Sequence, residues 1–277
     1  MFAKLLKYDL KAIFKYWWIA AASSALLSVI GGFCINIINV DYTEYTAIYT
    51  LAIIGLILCI IGLIIPPILT EILILVRFYK HFFTDEGYLT FTLPVKKSQL
   101  LNSKILMSFI FMFLTSLVLM LSILIMLIIG LPEEFLNAKF WADVSETVKN
   151  IISYIGAGYT AVYIIEFILF MIAGTLMSSL ALFTCLTVAS VITKKHKIIT
   201  AIAIYYGANS VISFITQFVM IDGSFIKVFD KIDSLGVNAQ KICIAMIILL
   251  VTGVIFAVAA GIHLLESWLL ERKLNLE

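Results

Sequence analysis

The sequence predicts an all-α integral membrane protein with six transmembrane helices, an amphipathic interfacial helix at the amino terminus and a short cytoplasmic helix between spans two and three. Composition predicts the class: of 277 residues, 63% are hydrophobic and 13% charged, and mean hydropathy is +1.12, whereas soluble domains are about 45–50% apolar and about 25% charged. The charge is also clustered, with apolar runs between the clusters that exceed the roughly 20 residues a helix needs to cross a bilayer. Finally, Lys and Arg are distributed unequally between alternate loops, which sets orientation. The chain reads as one transmembrane domain over residues 1–277.

Residues 1–15 begin it as a basic amphipathic helix. Phe2, Leu5, Leu6, Leu10, Ile13, Phe14 and Trp17 share one helical face, with Lys4, Lys7, Lys11 and Lys15 elsewhere. Tyr16, Trp17 and Trp18 then fit an elbow at the headgroups, where the chain enters the bilayer. The run from Trp17 to Ile38 is longer than the roughly 7–15 residues of a secretory h-region, and its small residues stand near its start, so it reads as a retained first span.

Tyr49 to Val76 is the second span. Pro66 and Pro67 lie inside it, where two missing amide donors should kink the helix and provide a bend or hinge near a gate. Glu71 lies about 9 Å inside Arg77 along a helix and should face protein or water, as a vestibule contact or as a structural pair. Residues 77–104 form the longest internal cytoplasmic loop, and Phe78, Phe82, Phe83, Tyr88 and Phe91 would be exposed there if the loop were merely solvated. Thr84 resembles an N-cap followed by the acids Asp85 and Glu86, with Gly87 as a break. Such a segment either packs on the protein's own cytoplasmic surface or inserts into a groove of a partner.

Ile105 to Leu131 is the third span. Residues 132–150 form an outer loop in which Leu136, Phe140, Val144, Val148 and Ile151 recur at helical spacing, as in an interfacial helix. The run from Ile151 to Thr193 is long enough for two crossings, and basic residues arbitrate. One crossing places fourteen of the 19 Lys and Arg inside, whereas two place twelve there, so six spans with both termini cytoplasmic is the better solution. No proline or polar cluster interrupts the run, and a single long helix follows. Glu166 then lies roughly 40 Å from Thr193, near the outer headgroups, a candidate polar site at that boundary. Gly174, Thr175, Ser178, Ser179 and Ala181 form a small-residue stretch suited to close helix packing, within the chain or at a dimer seam. Ile198 to Met220 and Ile242 to Leu265 complete the spans. Between them residues 221–241 form a second outer loop with Phe225, Val228, Phe229 and Ile232 at helical spacing.

Little chemistry is built in. Cys34, Cys59, Cys185 and Cys243 lie in apolar runs and read as buried thiols, and His81, His196 and His263 are scattered, so no metal site is expected. No Ser-His-Asp grouping or H-E-x-x-H occurs, which argues against a hydrolase. No G-x-x-x-x-G-K-[ST] loop occurs either, so any nucleotide must be bound by another chain.

The order of amphipathic helix, two spans, the aromatic loop "FTDEGYLTFTLPVKKSQLLNSK" from Phe83 to Lys104, and four further spans resembles bacterial ABC-2 exporter permeases. The resemblance covers the chain in topology and is sequence-specific mainly in that loop. It implies a coupling helix that docks on an ABC ATPase, with Phe82, Phe83, Thr84, Asp85, Glu86, Gly87 and Tyr88 as its contacts. It further implies two ATPase subunits carrying ATP and Mg, a second permease subunit, identical or homologous, and no cofactor on this chain. Location in a bacterial cytoplasmic membrane follows, with lipids as partners and no nucleic acid. The apolar passage suggests an amphipathic substrate such as a peptide, antibiotic or lipid-like molecule. Two other classes stay open: a secondary transporter, which needs an ion-coupling acid near the midplane, and a non-transporting membrane scaffold or sensor.

Overall fold

The computed structural model describes residues 2–39, 46–84, 97–193, 196–221 and 230–272, and the regular structure there is helical, without strands. The helices are α1 (Phe2–Asn39), α2 (Thr46–Phe83), α3 (Lys97–Gly130), α4 (Pro132–Phe135), α5 (Ala138–Ile155), α6 (Ala157–Ile192), α7 (Lys197–Ile221) and α8 (Val237–Arg272). Six of them, α1, α2, α3, α6, α7 and α8, are long and apolar enough to cross a membrane, which makes this a multi-pass membrane protein. The chain divides into two compact units, Met1–Arg77 with Leu106–Asn150, and Phe78–Ile105 with Ile151–Glu277. Helices α2, α3 and α5 contribute residues to both.

In the first unit α1 is one uninterrupted helix, so the expected elbow at Tyr16–Trp18 is absent. Its buried residues are Asp9, Ile13, Trp17, Ala20, Ser24 and Ser28, spaced by three or four, and then Gly31 and Gly32, while Lys4, Lys7, Lys11 and Lys15 are exposed. The face expected from Phe2 to Trp17 is thus rotated: Phe14 points outward at 52% exposure, and Trp17, expected at the headgroups, is 7% exposed. The physical reason is that lipid is as apolar as leucine, so small and polar residues, rather than the largest apolar ones, face the neighbouring helices.

Contacts fix the direction of the three helices. Asp9 of α1 meets Arg77 of α2, and at the other end Cys34 lies against Gly55, so α1 and α2 are antiparallel. Trp17 meets Thr115 of α3 and Gly32 meets Ile129, so α1 and α3 run in the same direction. Close approach is built on glycine. A Cβ on Gly32 would fall 2.7 Å from Ile129 Cβ and 3.0 Å from the Met126 carbonyl, and one on Gly130 would fall 2.7 Å from Ile35 Cβ. Replacing Gly32 by Val is expected to force α1 and α3 apart at a cost of about 1–3 kcal/mol, read as earlier thermal unfolding in detergent.

In the second unit α6 packs on both α7 and α8. The Tyr163 hydroxyl donates to the Lys241 carbonyl at one end of the α6–α8 pair, and the Thr187 hydroxyl donates to Glu266 at the other. The pair is therefore parallel, and α7 returns between them. One crossing for α6 and one for α7 agrees with the reading of basic residues. The single helix expected over Ile151 to Thr193 does need correction, because α5 ends at Ile155 and α6 begins at Ala157. Gly156 separates them with φ 90° and ψ 137°, a conformation that only glycine enters without strain. Its N–H donates to the Ile152 carbonyl and its own carbonyl accepts from Thr160, so one helix ends and the next begins across one residue.

A helix is present near residues 132–150 as α5, the most amphipathic of the described helices, with no buried residue. Leu136 precedes it, in the turn after α4. Phe225, Val228 and Phe229 of the other outer loop lie outside the described residues. Of the four cysteines, Cys59 alone is buried and the other three are half-buried.

Candidate functional site

The carboxyl-terminal end of α2 holds the first of the candidate coupling residues, Phe82 and Phe83. Burial repeats along this helix at Ala52, Cys59, Leu63, Pro66, Thr70, Ile74, Phe78 and Phe82, a continuous packed stripe. Phe78 stacks on Phe183 of α6 at 4.2 Å between ring centroids, and Phe82 stacks on Phe78 at 4.6 Å. Both Phe78 and Phe82 are wholly buried. Phe82 is therefore removed from the accessible docking set, because the apolar ring expected on a loop continues a helix and packs within the chain. Phe83 and Thr84 keep accessible surface. Thr84, expected as the N-cap of a following helix, instead donates its hydroxyl to the Lys80 carbonyl at the end of α2. Asp85, Glu86, Gly87, Tyr88 and Phe91 lie outside the described residues.

The candidate gate residues sit farther back on the same helix, in the first unit. Helix α2 continues through Pro66 and Pro67. Thr70, one turn on, donates to the Pro66 carbonyl at 2.9 Å. Its hydroxyl oxygen lies 3.2 Å from that of Thr115, which accepts the Trp17 indole N–H at 2.8 Å and donates to the Phe111 carbonyl. Three helices thus share a polar contact beside the two prolines, where hydrogen bonding within α2 is weakest. Glu71 is half-buried next to Thr70. Pro66, Pro67 and Glu71 belong to the first unit, and Phe82, Phe83 and Thr84 to the second.

In the second unit, Glu166, Ala173, Leu180 and Thr187 recur every seven residues on α6, and Thr252, Ala259 and Glu266 do so on α8; all are buried. A sevenfold repeat on parallel helices is the geometry of a left-handed packed pair. Glu166, the candidate polar site near the outer headgroups, is 5% exposed and has an Oε2 without a hydrogen-bond partner among the described residues. Glu266 was not singled out from sequence. It is wholly buried, accepts the Thr187 hydroxyl at 2.7 Å on Oε1, and leaves Oε2 without a hydrogen-bond partner among the described residues. The signal was present: Glu266 continues the Thr252–Ala259 spacing by one more heptad, although hydropathy ends the span at Leu265.

Between α6 and α8, near the Gly156 break, lies a groove of about 920 Å³ with walls including Ile164, Phe167, Phe170, Ile247 and Val251. At its mouth the Lys241 ammonium donates to the Tyr154 carbonyl at 2.6 Å and stands over the Tyr154 and Tyr159 rings at 5.5 and 6.0 Å from their centroids. The small-residue stretch makes no comparable feature: a Cβ on Gly174 would meet nothing within 4 Å, and Ser178 and Ser179 donate to carbonyls of their own helix. The chain matches no known protein family, no curated protein and no solved structure.

Proposed function

We propose that this chain is the membrane permease half of an ATP-driven exporter of the ABC-2 type, working with separate ATPase subunits and a second permease copy or homologue. The observation that carries the reading is the segment that follows α2. A helix long enough to cross the membrane ends at Phe83, and "TDEGYLTFTLPVKK" then leads into the next long helix at Lys97. An acidic and aromatic segment held between two membrane helices can transmit motion of a soluble partner to both of them. In this reading both termini and this segment face the cytoplasm, closure of the ATPases moves the residues from Phe83 to Tyr88, and α2 and α3 carry the motion to a path between permease halves. The substrate is amphipathic, in keeping with apolar walls.

The test is purification of the intact chain from its native membrane in mild detergent, beside the variant Phe83→Ala/Glu86→Ala, with mass spectrometry and an ATPase assay. An ABC ATPase should accompany the intact chain and be lost from a variant that unfolds at the same temperature. Equal retention by the variant would remove the segment as the docking element, and absence of any ATPase would favour another class. A secondary transporter is the second reading; the burial of Glu166 and Glu266, each with an oxygen that has no hydrogen-bond partner among the described residues, favours it, although neither acid lies near the midplane. Uptake or efflux driven by a proton gradient without nucleotide, and lost in Glu266→Gln, would select that reading.

A further inference from the structure

We infer that the groove between α6 and α8 holds an acyl chain of an anionic phospholipid from the surrounding bilayer, with Lys241 facing its phosphate. This inference stands independently of the exporter reading. The groove's polar groups gather at one end, and most of them are already engaged. The Tyr163 hydroxyl donates to the Lys241 carbonyl, the Gln240 amide donates to the Asp233 and Leu235 carbonyls, and the Thr160 hydroxyl donates to the Gly156 carbonyl.

Lys241 differs from these groups. An ammonium has three hydrogens, and one is used on the Tyr154 carbonyl. No carboxylate among the described residues forms an ion pair with it. A positive charge with no counter-ion among the described residues, at the mouth of an otherwise apolar groove, complements an amphipath with an anionic head. Two tyrosine rings beside the ammonium match the composition of a membrane–water interface, where aromatic and basic side chains gather.

Depth selects the occupant further. From Lys241 to Val251, the last lining residue along α8, the helix rises about 15 Å, half of a hydrocarbon core about 30 Å thick. The groove therefore runs from one interface to the region of the midplane, the reach of a lipid tail in a single leaflet. Basic pockets between membrane helices bind lipid headgroups by this chemistry.

The test is native mass spectrometry of the full-length protein, released from detergent after equilibration with phosphatidylglycerol or phosphatidylcholine of identical chains. One retained lipid per chain is expected, with about a fivefold preference for phosphatidylglycerol. Lys241→Gln should abolish the preference and Lys241→Arg should keep it. Ile248→Trp, which fills the groove, should remove the retained lipid for both headgroups, with thermal unfolding confirming that this variant is folded. An unchanged preference in Lys241→Gln, or an unchanged lipid count in Ile248→Trp, would overturn the inference. So would an intact protein that retains no lipid but forms a dimer that Ile248→Trp dissociates, since the groove would then belong to a second copy.

Discussion

Phe78→Ala is expected to be the most damaging single truncation in the second unit, lowering stability by about 3 kcal/mol. Phe78, Phe82 and Phe183 are each wholly buried and their rings are stacked in series. Removing the middle ring takes one stacking partner from each neighbour and opens a cavity that the rigid helix backbones cannot close. In lipid the cost comes chiefly from lost packing contacts, because an unfolded span remains in hydrocarbon and gains little from burial. Phe78→Leu keeps most of the volume and should cost about 1 kcal/mol. Thermal or SDS-induced unfolding of the purified chain checks both values and, above all, their order.

Arg77→Ala is expected to be the second large effect, and it acts in the first unit. The Arg77 Nε lies 3.2 Å from Asp9 Oδ1, with the Asp9 side chain 3% exposed and that of Arg77 26% exposed. Removing one member of a fully buried pair costs about 3–5 kcal/mol, because the other charge stays behind uncompensated. Solvent access to Arg77 reduces this to about 2 kcal/mol. Arg77→Ala combined with Asp9→Asn should recover part of the loss, because the double variant no longer buries a carboxylate that has lost its contact with Arg77. Unfolding of the two single variants and the double variant yields that coupling directly. The neighbouring positions 77 and 78 thus fix the end of α2 by different means, an ion pair to α1 and an aromatic stack to α6.

The six long helices were legible because the bilayer requires about 20 apolar residues in succession, and charge has few places to reside on such a chain. Which face of each helix is packed was less legible. Trp17 and Phe14 looked alike as apolar members of one stripe, yet Trp17 is buried and Phe14 is not. The distinguishing residues were Ala20, Ser24, Ser28 and Gly32 farther along the helix, since small side chains and hydroxyls mark the contact face in lipid. The Gly156 break was hidden because a glycine within an apolar run is tolerated in many helices, and only its backbone conformation shows that one helix ends there. Glu266 was hidden because hydropathy stops at the first charge, whereas the helix and its heptad spacing do not. Of the candidate coupling residues, Phe82 was misjudged for a related reason: α2 extends to Phe83, so aromatic residues assigned to a loop continue the buried stripe of a helix.

The most direct test of the ATP-driven permease account is site-specific photo-crosslinking in native membranes, with the photoreactive residue placed at Glu86 or, for comparison, at Leu136. The account predicts that position 86 captures an ABC ATPase, that capture changes when a non-hydrolysable ATP analogue is added, and that position 136 captures none. Crosslinking of position 86 only within this chain, or ATPase capture from position 136, would contradict it.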